Sequence, residues 1–458
     1  MRKTLALLLA AAFLYFVSAP PLSIKSQAST AASKFQTVAN PIPNRFIVVL
    51  ATTDLSPIAN PATTPKAVTS VGGASSSSAA AMAIDSDSMS FVAAPSPDPQ
   101  VVATATSLTS TYGGSFSLTW GVALKGFRLH STEAEAISMS QDSRVAFIVQ
   151  DGAIAVGTPD SDPIGMTIDP GVFQKPQPRA PWGLDRINQR LLPLDKTYSY
   201  TNDGKGVNAY VIDTGILPTH WEFQGRASAI YDAVDREGSG IDCNGHGSHV
   251  AGIIGGQTFG VAKSVSLLAV RVLNCQGAGT WSDVIDGVNF VTWHSGQSTQ
   301  QGTPAVANMS LGGAINRAAD AAVRNSIRAG VTYVVAAGNG NSDASTYSPA
   351  NVAEAITVGA TNQSDSRAEF SNYGPTLDLF APGVAIPSAW IGGELMMANA
   401  SGTSMASPHV AGVVALYLQT HRTASPAAVR STIIGNSTEG RIIDPGQESP
   451  NRLLFTDY

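Results

Sequence analysis

Three residues whose types could carry out nucleophilic catalysis lie far apart in the chain, in the order Asp213, His246 and Ser404. A serine hydroxyl is a poor nucleophile at neutral pH and needs an adjacent base to take its proton. A histidine can be that base, and a carboxylate hydrogen-bonded to the imidazole orients it and stabilises its charged form. The three residue types can therefore perform acyl transfer, provided that the fold brings them together.

The segments around these residues are rich in glycine and other small residues: Tyr210–Gly215, Asn244–Gly252 and Ser401–Gly412. Gly402 permits a sharp turn, and a helix of small residues is expected to begin at Ser404. The hydroxyl and the N–H of this serine would then lie at a helix N-terminus, where the dipole favours a developing negative charge.

These segments resemble the subtilase family of serine proteases, and specifically its proteinase K-like branch, which shares the order aspartate, histidine, serine. A fourth segment, Val334–Asn339, matches the family's oxyanion-hole motif. The resemblance implies that Asp213 orients His246, that His246 is the general base, and that Ser404 attacks a peptide carbonyl. It also implies that the Asn339 amide and the Ser404 N–H donate to the tetrahedral oxyanion.

Other interpretations of the same residues stay open at this point. Ser404 could serve only as a helix cap, and Asn339 could be a turn residue before a glycine. His249 is a rival to His246, although the family pattern gives the catalytic role to the first histidine. The single Asp-Thr-Gly triplet at Asp213 does not supply the two carboxylates that an aspartic protease needs.

Two glycine-rich segments resemble the edges along which subtilases bind an extended substrate. The expected edge residues are Gly277, Ala278 and Gly279 on one side and Ser310, Leu311 and Gly312 on the other. Pairing with a peptide backbone gives affinity with little sequence preference. The resemblance therefore implies an endopeptidase of broad specificity.

The chain has two cysteines, Cys243 and Cys275. An even number of cysteines in an exported protein suggests a disulfide, and the same two positions are bridged in some proteinase K-like enzymes. Two buried free thiols are one alternative. A zinc site that includes His246 and His249 is another, although no His-Glu-x-x-His pattern of a metalloprotease occurs.

A structural calcium ion is implied by the resemblance, whereas no catalytic cofactor is expected. Asp378 matches a family aspartate that binds calcium together with two main-chain carbonyls, here those of Ala353 and Ala355. Main-chain ligands tolerate changes of side chain at those positions. The alternative is a plain surface aspartate.

The composition of the 458 residues excludes some classes of partner. Charged residues make up 13% of the chain, the net charge is −6, and no basic stripe is present. A nucleic-acid partner is therefore not expected. We expect a monomer that acts on polypeptides.

The N-terminus has the pattern of a secretory signal peptide. Arg2 and Lys3 precede an uncharged apolar run, 4–21, and Ser26-Gln-Ala28 is a suitable cleavage site, so residues 1–28 are expected to be removed. An uncleaved anchor is the alternative, but the run is short for spanning a bilayer. We expect a secreted protein.

A smaller α+β region, residues 41–157, is expected before the catalytic segments. Its elements are a strand over 44–50, a strand over 126–130, a helix over 132–141 and a strand over 144–149. A low-complexity insertion at about 52–100, rich in Ala, Ser, Thr and Pro, interrupts it. The region resembles the subtilase pro-domain, which acts as an intramolecular chaperone and inhibitor. An unrelated α+β module is the alternative.

A proline-rich linker, 158–180, follows and is expected to contain the processing site. We predict self-cleavage between Gly157 and Pro178, where the pro-domain tail, matched to 144–152, leaves the active site. Cleavage by another protease is the alternative.

From residue 181 to 458, short apolar runs alternate with helical patterns. The runs expected to form strands are 207–212, 266–272, 305–309, 331–336 and 355–359, and the expected helices are 282–293, 315–329 and 404–421. This alternation predicts an α/β fold whose mostly parallel sheet is covered by helices on both faces. Asp213, at the end of the first run, would lie at the edge where such sheets place their sites.

The sequence therefore predicts a secreted serine endopeptidase that works through an acyl-enzyme and is made as a self-processed zymogen. Two other classes remain: a subtilase-like binding protein without catalysis, and an esterase using the same triad. The filled catalytic positions argue against the first, and the two glycine-rich edges favour peptides over small esters.

Overall fold

The computed structural model describes residues 34–51, 92, 94–156, 164–165, 175–236 and 238–458. The expected signal peptide and most of the expected insertion lie outside the described residues, as does most of the linker in which processing is expected. Those predictions are therefore not tested. In the described part of the chain, no helix is long and apolar enough to cross a membrane.

The smaller, N-terminal region combines an antiparallel sheet with two helices. Its elements are β1 (Phe35–Gln36), β2 (Pro41–Leu50), α1 (Pro99–Tyr112), β3 (Ser115–Trp120), β4 (Gly126–His130), α2 (Glu133–Ser140) and β5 (Val145–Ala155). The strand order is β1-β5-β2-β4-β3, with β1 parallel to β5 and the other neighbours antiparallel. One face of this sheet packs on the two helices around Phe46, Val48 and Leu108.

Local signals explain both helices. The Asp98 carboxylate caps α1 by accepting from two backbone N–H groups, and Pro99 occupies the first turn. In α2, the Thr132 side chain and Glu135 form a capping box. Neither α1 nor β3 was predicted from the sequence, because their Ser- and Thr-rich composition continues that of the insertion.

The larger region contains the remaining elements. The strands are β6 (Ile164–Gly165), β7 (Gln177–Pro178), β8 (Thr197–Tyr198), β9 (Asn208–Asp213), β10 (Ala227–Asp232), β11 (Ser266–Arg271), β12 (Ala278–Thr280), β13 (Ala305–Met309), β14 (Gly313–Ala314), β15 (Thr332–Ala336), β16 (Tyr347–Ser348), β17 (Ile356–Thr361), β18 (Leu379–Pro382), β19 (Ile386–Ala389), β20 (Met396–Ala400), β21 (Thr438–Glu439) and β22 (Arg452–Leu453). The helices are α3 (Trp182–Ile187), α4 (His246–Gly255), α5 (Trp281–Gln300), α6 (Arg317–Arg328), α7 (Thr403–Thr420) and α8 (Pro426–Asn436), with 3-10 turns at Trp221–Phe223 and Ala344–Thr346.

A nine-stranded sheet forms the centre of this region, in the order β10-β11-β9-β13-β15-β17-β18-β22-β21. All neighbours are parallel except the last pair. Helices α4 and α7 pack on one face of the sheet, and α5 and α6 pack on the other. The predicted α/β architecture is confirmed.

Helix α7 can lie close to α4 and to the loop after it because Gly412 has no side chain. A Cβ placed on Gly412 would lie 2.5 Å from Cβ of Val261, so a larger residue would force the helix away. The close approach fixes α7, and therefore Ser404 in its first turn, relative to the central strands.

Candidate active site

Asp213 ends the central strand β9, where the chain turns away from the carboxyl edge of the sheet. Its side chain is fully buried. Oδ1 of Asp213 accepts from the Thr214 N–H at 2.8 Å and lies 2.7 Å from Nδ1 of His246. The structure therefore brings together the first two residues that the sequence singled out.

His246 begins α4, and a buried carboxylate shapes the turn that precedes it. Oδ1 of Asp242 accepts from the N–H groups of Asn244 and Gly245, each at 2.9 Å. Its Oδ2 accepts from the N–H and the hydroxyl of Ser248, at 2.9 and 2.7 Å. The sequence analysis missed Asp242, although an aspartate before Asn-Gly is a common turn signal. Ser248, where the family usually has threonine, keeps the hydroxyl that this turn requires.

Burial and charge act in opposite directions on His246. Burial lowers the pKa of His246, whereas the charge and hydrogen bond of Asp213, with a further contribution from Asp242, raise it. The net effect is a pKa above that of an ordinary histidine. This environment stabilises an imidazolium ion, which is the state that a general base passes through.

The rival histidine, His249, lies in a different environment. It is fully buried, and its Nε2 lies 3.0 Å from the carbonyl oxygens of both Ile386 and Ala398. Burial lowers the pKa of His249 to about 3. A neutral, enclosed imidazole of this kind ties α4 to the β19–β20 hairpin, and this geometry favours His246 for the catalytic role.

Ser404 lies in the first turn of α7 and is half-buried. Its hydroxyl donates to the Ser310 carbonyl at 3.1 Å, and the Ser310 hydroxyl donates to the Ser404 carbonyl at 2.8 Å. The expected nucleophile is therefore bonded to one of the expected substrate edges rather than to His246.

Two N–H donors converge beside Gly402. Oδ1 of Asn339 accepts from the N–H and the hydroxyl of Thr403, at 2.9 and 2.8 Å, which leaves the amide nitrogen of Asn339 for another partner. A Cβ placed on Gly402 would lie 3.3 Å from that nitrogen and 3.6 Å from the Ser404 nitrogen. Glycine at this position keeps open a space between the two donors. Such an arrangement can stabilise an oxyanion.

The first expected substrate edge is already paired with another strand. Within β12, Ala278 and Gly279 pair antiparallel with Ala155 and Ile154 at the end of β5. The pairing continues with a bond from the Val156 N–H to the Gly277 carbonyl at 2.9 Å. The tail of the smaller region therefore lies along this edge.

Gly313, which directly follows the second expected edge, lies close to the same tail. A Cβ placed on Gly313 would lie 3.3 Å from Cγ2 of Ile154 and 3.3 Å from Cζ2 of Trp281. Ile154 is buried, and so is the edge residue Leu311. The residues of the tail that pair with the first edge are 153–156, a few positions beyond the 144–152 segment that the sequence suggested, because β5 extends further than its apolar run.

The predicted disulfide between Cys243 and Cys275 is confirmed. It joins the turn before His246 to the loop that leads into Gly277, so it couples the expected general-base segment to the first expected substrate edge. The described cysteines are therefore neither free thiols nor ligands of zinc.

Comparisons with known proteins agree with this geometry. The family model described as the subtilase family matches residues 204–453. An extracellular serine proteinase of Thermus sp. (strain Rt41A) is 50% identical over 349 residues, which cover 76% of this chain and 79% of the relative. Alkaline serine exoprotease A of Vibrio alginolyticus is 46% identical over 334 residues, which cover 73% of this chain and 59% of the relative.

A solved structure is similar as well. The crystal structure of a cold adapted subtilisin-like serine proteinase matches with a TM-score of 0.58 and 50% identity, covering 61% of this chain and 99% of that chain. The chain belongs to the subtilase family. By its relatives, this subtilase is a subtilisin-like serine proteinase.

In this subtilase, the smaller region contacts the N-terminus of α5 through a buried carboxylate. Oδ1 of Asp151 accepts from the Ser282 N–H at 3.1 Å, and Oδ2 accepts from the Ser282 hydroxyl at 2.7 Å. Arg45 completes the cluster with a bond to Oδ2 at 2.7 Å. The carboxylate lies at the positive end of the helix dipole, which favours it electrostatically.

A second group of contacts lies farther along the same helix. Nε1 of Trp120 donates to Asp286 at 3.2 Å, and the N–H groups of Val122 and Ala123 donate to Oδ1 of Asn289 at 2.9 and 3.1 Å. These polar contacts position the small sheet on α5, and therefore aim the end of β5 at the substrate edges.

The expected calcium ligands of this subtilase do not form an open cation site. Asp378 is buried, but the Arg430 guanidinium contacts both of its carboxylate oxygens and also the Ala355 carbonyl. Ala353 lies on the exposed loop nearby. Within the described residues, no group of three or more His, Cys, Asp or Glu side chains could hold a metal ion. The residues as arranged therefore do not fit a bound calcium ion.

Proposed function

We propose that this subtilase is a secreted endopeptidase that hydrolyses peptide bonds through Asp213, His246 and Ser404. The observation that carries the proposal is the 2.7 Å contact between Nδ1 of His246 and Oδ1 of Asp213. That contact engages Nδ1, and so leaves Nε2 as the ring nitrogen that can take a proton from serine.

In the proposed first step, the Ser404 oxygen attacks the peptide carbonyl while its proton moves to Nε2 of His246. The Asn339 amide and the Ser404 N–H donate to the oxyanion of the tetrahedral intermediate. Collapse of the intermediate breaks the C–N bond, and His246 returns the proton to the leaving amine. The products of this half-reaction are the free amine and an ester between Ser404 and the acyl part of the substrate.

In the second step, His246 takes a proton from water, whose oxygen attacks the ester. Collapse releases the acid and restores the Ser404 hydroxyl. Apart from this water and the substrate, all groups in both proposed steps belong to the chain.

We infer that substrates bind as an extended strand between the two glycine-rich edges. Pairing of β12 with residues 153–155 supports this inference, because it uses backbone atoms and would be open to many sequences. The enclosed position of Ile154 indicates that one subsite accepts a branched aliphatic side chain.

We also propose that the smaller region is an inhibitory and folding-assisting pro-domain of a monomeric zymogen. The support is that residues 153–156 occupy the edge that a substrate would need. Self-cleavage between Gly157 and Pro178 would free this edge. Export is supported by the sequence of residues 1–28 and by the extracellular Thermus relative.

A serine-directed fluorophosphonate tests the proposal. The secreted protein should lose casein cleavage on treatment, and peptide mapping should place the label on Ser404. Labelling at another serine with loss of activity would refute the assignment of the nucleophile. Activity on small esters without activity on casein would instead favour an esterase.

A further inference from the structure

The Asp378 carboxylate is a buried acceptor that the proposed mechanism does not use. It precedes β18, and its backbone N–H donates to the Thr357 carbonyl at 2.9 Å. The Thr357 N–H in turn donates to Oδ2 of Asp378 at 3.0 Å. These two bonds fix the side chain against β17. A carboxylate that is 7% exposed needs a compensating positive charge.

Helix α8 provides that charge through Arg430. Nη2 of Arg430 bonds to Oδ1 of Asp378, and Nε lies 3.4 Å from Oδ2. The same Nε donates to the Ala355 carbonyl at 3.2 Å. One guanidinium therefore bonds three of the oxygen atoms that the calcium prediction assigned to the metal.

A calcium ion and this guanidinium cannot share the position. Calcium takes six to eight oxygen ligands at about 2.3–2.6 Å, so the Asp378 oxygens and the Ala355 carbonyl would have to turn away from Arg430. A calcium ion and the Arg430 guanidinium bound to the same oxygen atoms would also repel each other, because both carry positive charge. Arginine stays charged at all working pH values and its planar fork suits a carboxylate, so it can hold the position permanently.

We propose that Arg430 is a built-in cation that replaces calcium at Asp378 and makes this part of the fold independent of the metal. The arginine joins Asp378, just before β18, to Ala355, just before β17, as an ion bound at these oxygens would, and it also ties both residues to α8. The inference concerns stability and metal binding, and it does not depend on the catalytic proposal.

The first test counts calcium ions bound to the full chain carrying Ser404→Ala, which prevents autolysis. Equilibrium dialysis with calcium alone should give the same number of bound ions with and without Asp378→Asn. One ion fewer in the Asp378→Asn chain would overturn the proposal. Because Arg430 is present in both chains, this test does not require an Arg430 variant to fold.

The second test removes the arginine in the same Ser404→Ala background. Arg430→Met should lower the melting temperature in the presence of a chelator, and added calcium should restore it. Adding Asp378→Asn to Arg430→Met should abolish the restoration. If Arg430→Met left the melting temperature unchanged, or lowered it in a way that calcium did not reverse, the proposal that Arg430 takes the place of calcium would be contradicted.

Arg324→Met is the matched control for the second test. Arg324, on α6, forms an ion pair with Glu354 at 3.1 Å. Glu354 lies on the same loop as Ala353 and Ala355. This variant removes one positive charge near the loop without touching Asp378. It should melt like its parent and should not respond to calcium, and a calcium response equal to that of Arg430→Met would refute a specific role for Arg430.

Discussion

At the scale of single residues, the proposed mechanism depends on which atoms are already engaged. Asp213 contacts Nδ1 of His246, and Thr403 occupies the amide oxygen of Asn339. The first contact leaves Nε2 of His246 without that partner, and the second leaves the amide nitrogen of Asn339. In the proposed mechanism these two atoms act on the serine proton and on the oxyanion. Neighbours therefore set the orientation of both groups before any substrate binds.

We expect Asn339→Ala to lower kcat strongly with little change in KM, because the lost donor acts on the transition state. Removal of the corresponding donor in subtilisin itself costs about 10²–10³-fold in kcat, and we expect a loss of that order here. Asn339→Asp is the matched second variant, since it keeps an acceptor for Thr403 and removes only the donor. It should therefore lose activity as well. Steady-state kinetics would contradict the role if Asn339→Asp kept full activity.

The pH dependence of activity should report on His246. Asp213 and Asp242 outweigh burial and raise the pKa of His246, and only the neutral imidazole accepts the serine proton. Activity should therefore fall as the pH drops through a midpoint above the ordinary histidine value of 6.5. The measurement is the acidic limb of kcat/KM, and a midpoint at or below the ordinary value would contradict the assignment. His249, with a pKa of about 3, stays neutral in this range.

At the scale of elements, the sequence predicted five strands of the central sheet but missed others, such as β10 and β18, and it predicted the smaller region incompletely. Apolar runs mark buried parallel strands directly, and the predicted strand over 305–309 coincides with β13. Helix α1 was missed because it buries only Val101, Ala105 and Leu108 among serines and threonines. With so few apolar residues, the helical periodicity of α1 cannot be distinguished from the pattern of a low-complexity segment.

The site shows the same division. Family motifs predicted the disulfide and pointed to Asp213 and His246, which the structure brings into contact. They did not point to Asp242, whose place before Asn-Gly is a turn signal that was missed, and they could not predict Asp151 or Arg430, which act through contacts that only the folded chain creates. The length of β5 was underestimated for a related reason: its last residues are held by pairing with β12 rather than by an apolar pattern.

Removing the disulfide should destabilise the fold without changing the catalytic groups. On the chain-entropy model, a closed loop of this size contributes about 3–4 kcal/mol. In the Ser404→Ala background, Cys243→Ser with Cys275→Ser should lower the free energy of unfolding in urea by that amount. A change below about 1 kcal/mol would contradict the stabilisation that the chain-entropy model gives. Reduction of the unsubstituted chain provides a second route to the same measurement.

The contact at the N-terminus of α5 should contribute to inhibition by the smaller region. Asp151→Asn removes a charged acceptor from Arg45 and Ser282, and hydrogen bonds to charged groups are worth about 1.5–3 kcal/mol. The inhibition constant of residues 34–156, added in trans to the processed enzyme, should rise about 10- to 150-fold, which is that energy converted to a ratio. Glu133→Gln, at an exposed position of α2, is the control. Equal inhibition by the Asp151→Asn and control variants would contradict the role of this contact.

At the scale of the whole molecule, the two regions have complementary parts in one proposed zymogen. The larger region supplies the two segments that we propose as substrate edges, and the smaller region supplies a strand that pairs with the first of them. Parallel strands that are far apart in the sequence pair slowly during folding. A region that acts as a folding template would therefore help such a fold to form. In the proposed self-maturation, the same catalytic groups would then remove the template.

We expect Ser404→Ala to accumulate as an uncut precursor when it is expressed in a protease-deficient host. The reason is that self-cleavage requires the nucleophile. Electrophoresis and N-terminal sequencing would detect the outcome. Normal processing of this variant would rule out self-maturation and leave the proteinase assignment standing.

The central claim is that Ser404 and His246 act together as nucleophile and base. Its most direct test is the kcat/KM for casein peptides of the wild type, Ser404→Ala and His246→Ala, each matured with an added protease so that processing does not limit activity. We predict that both substitutions abolish cleavage to a similar extent, because the pair acts as a unit. Cleavage by Ser404→Ala at a rate comparable to that of the wild type would contradict the account.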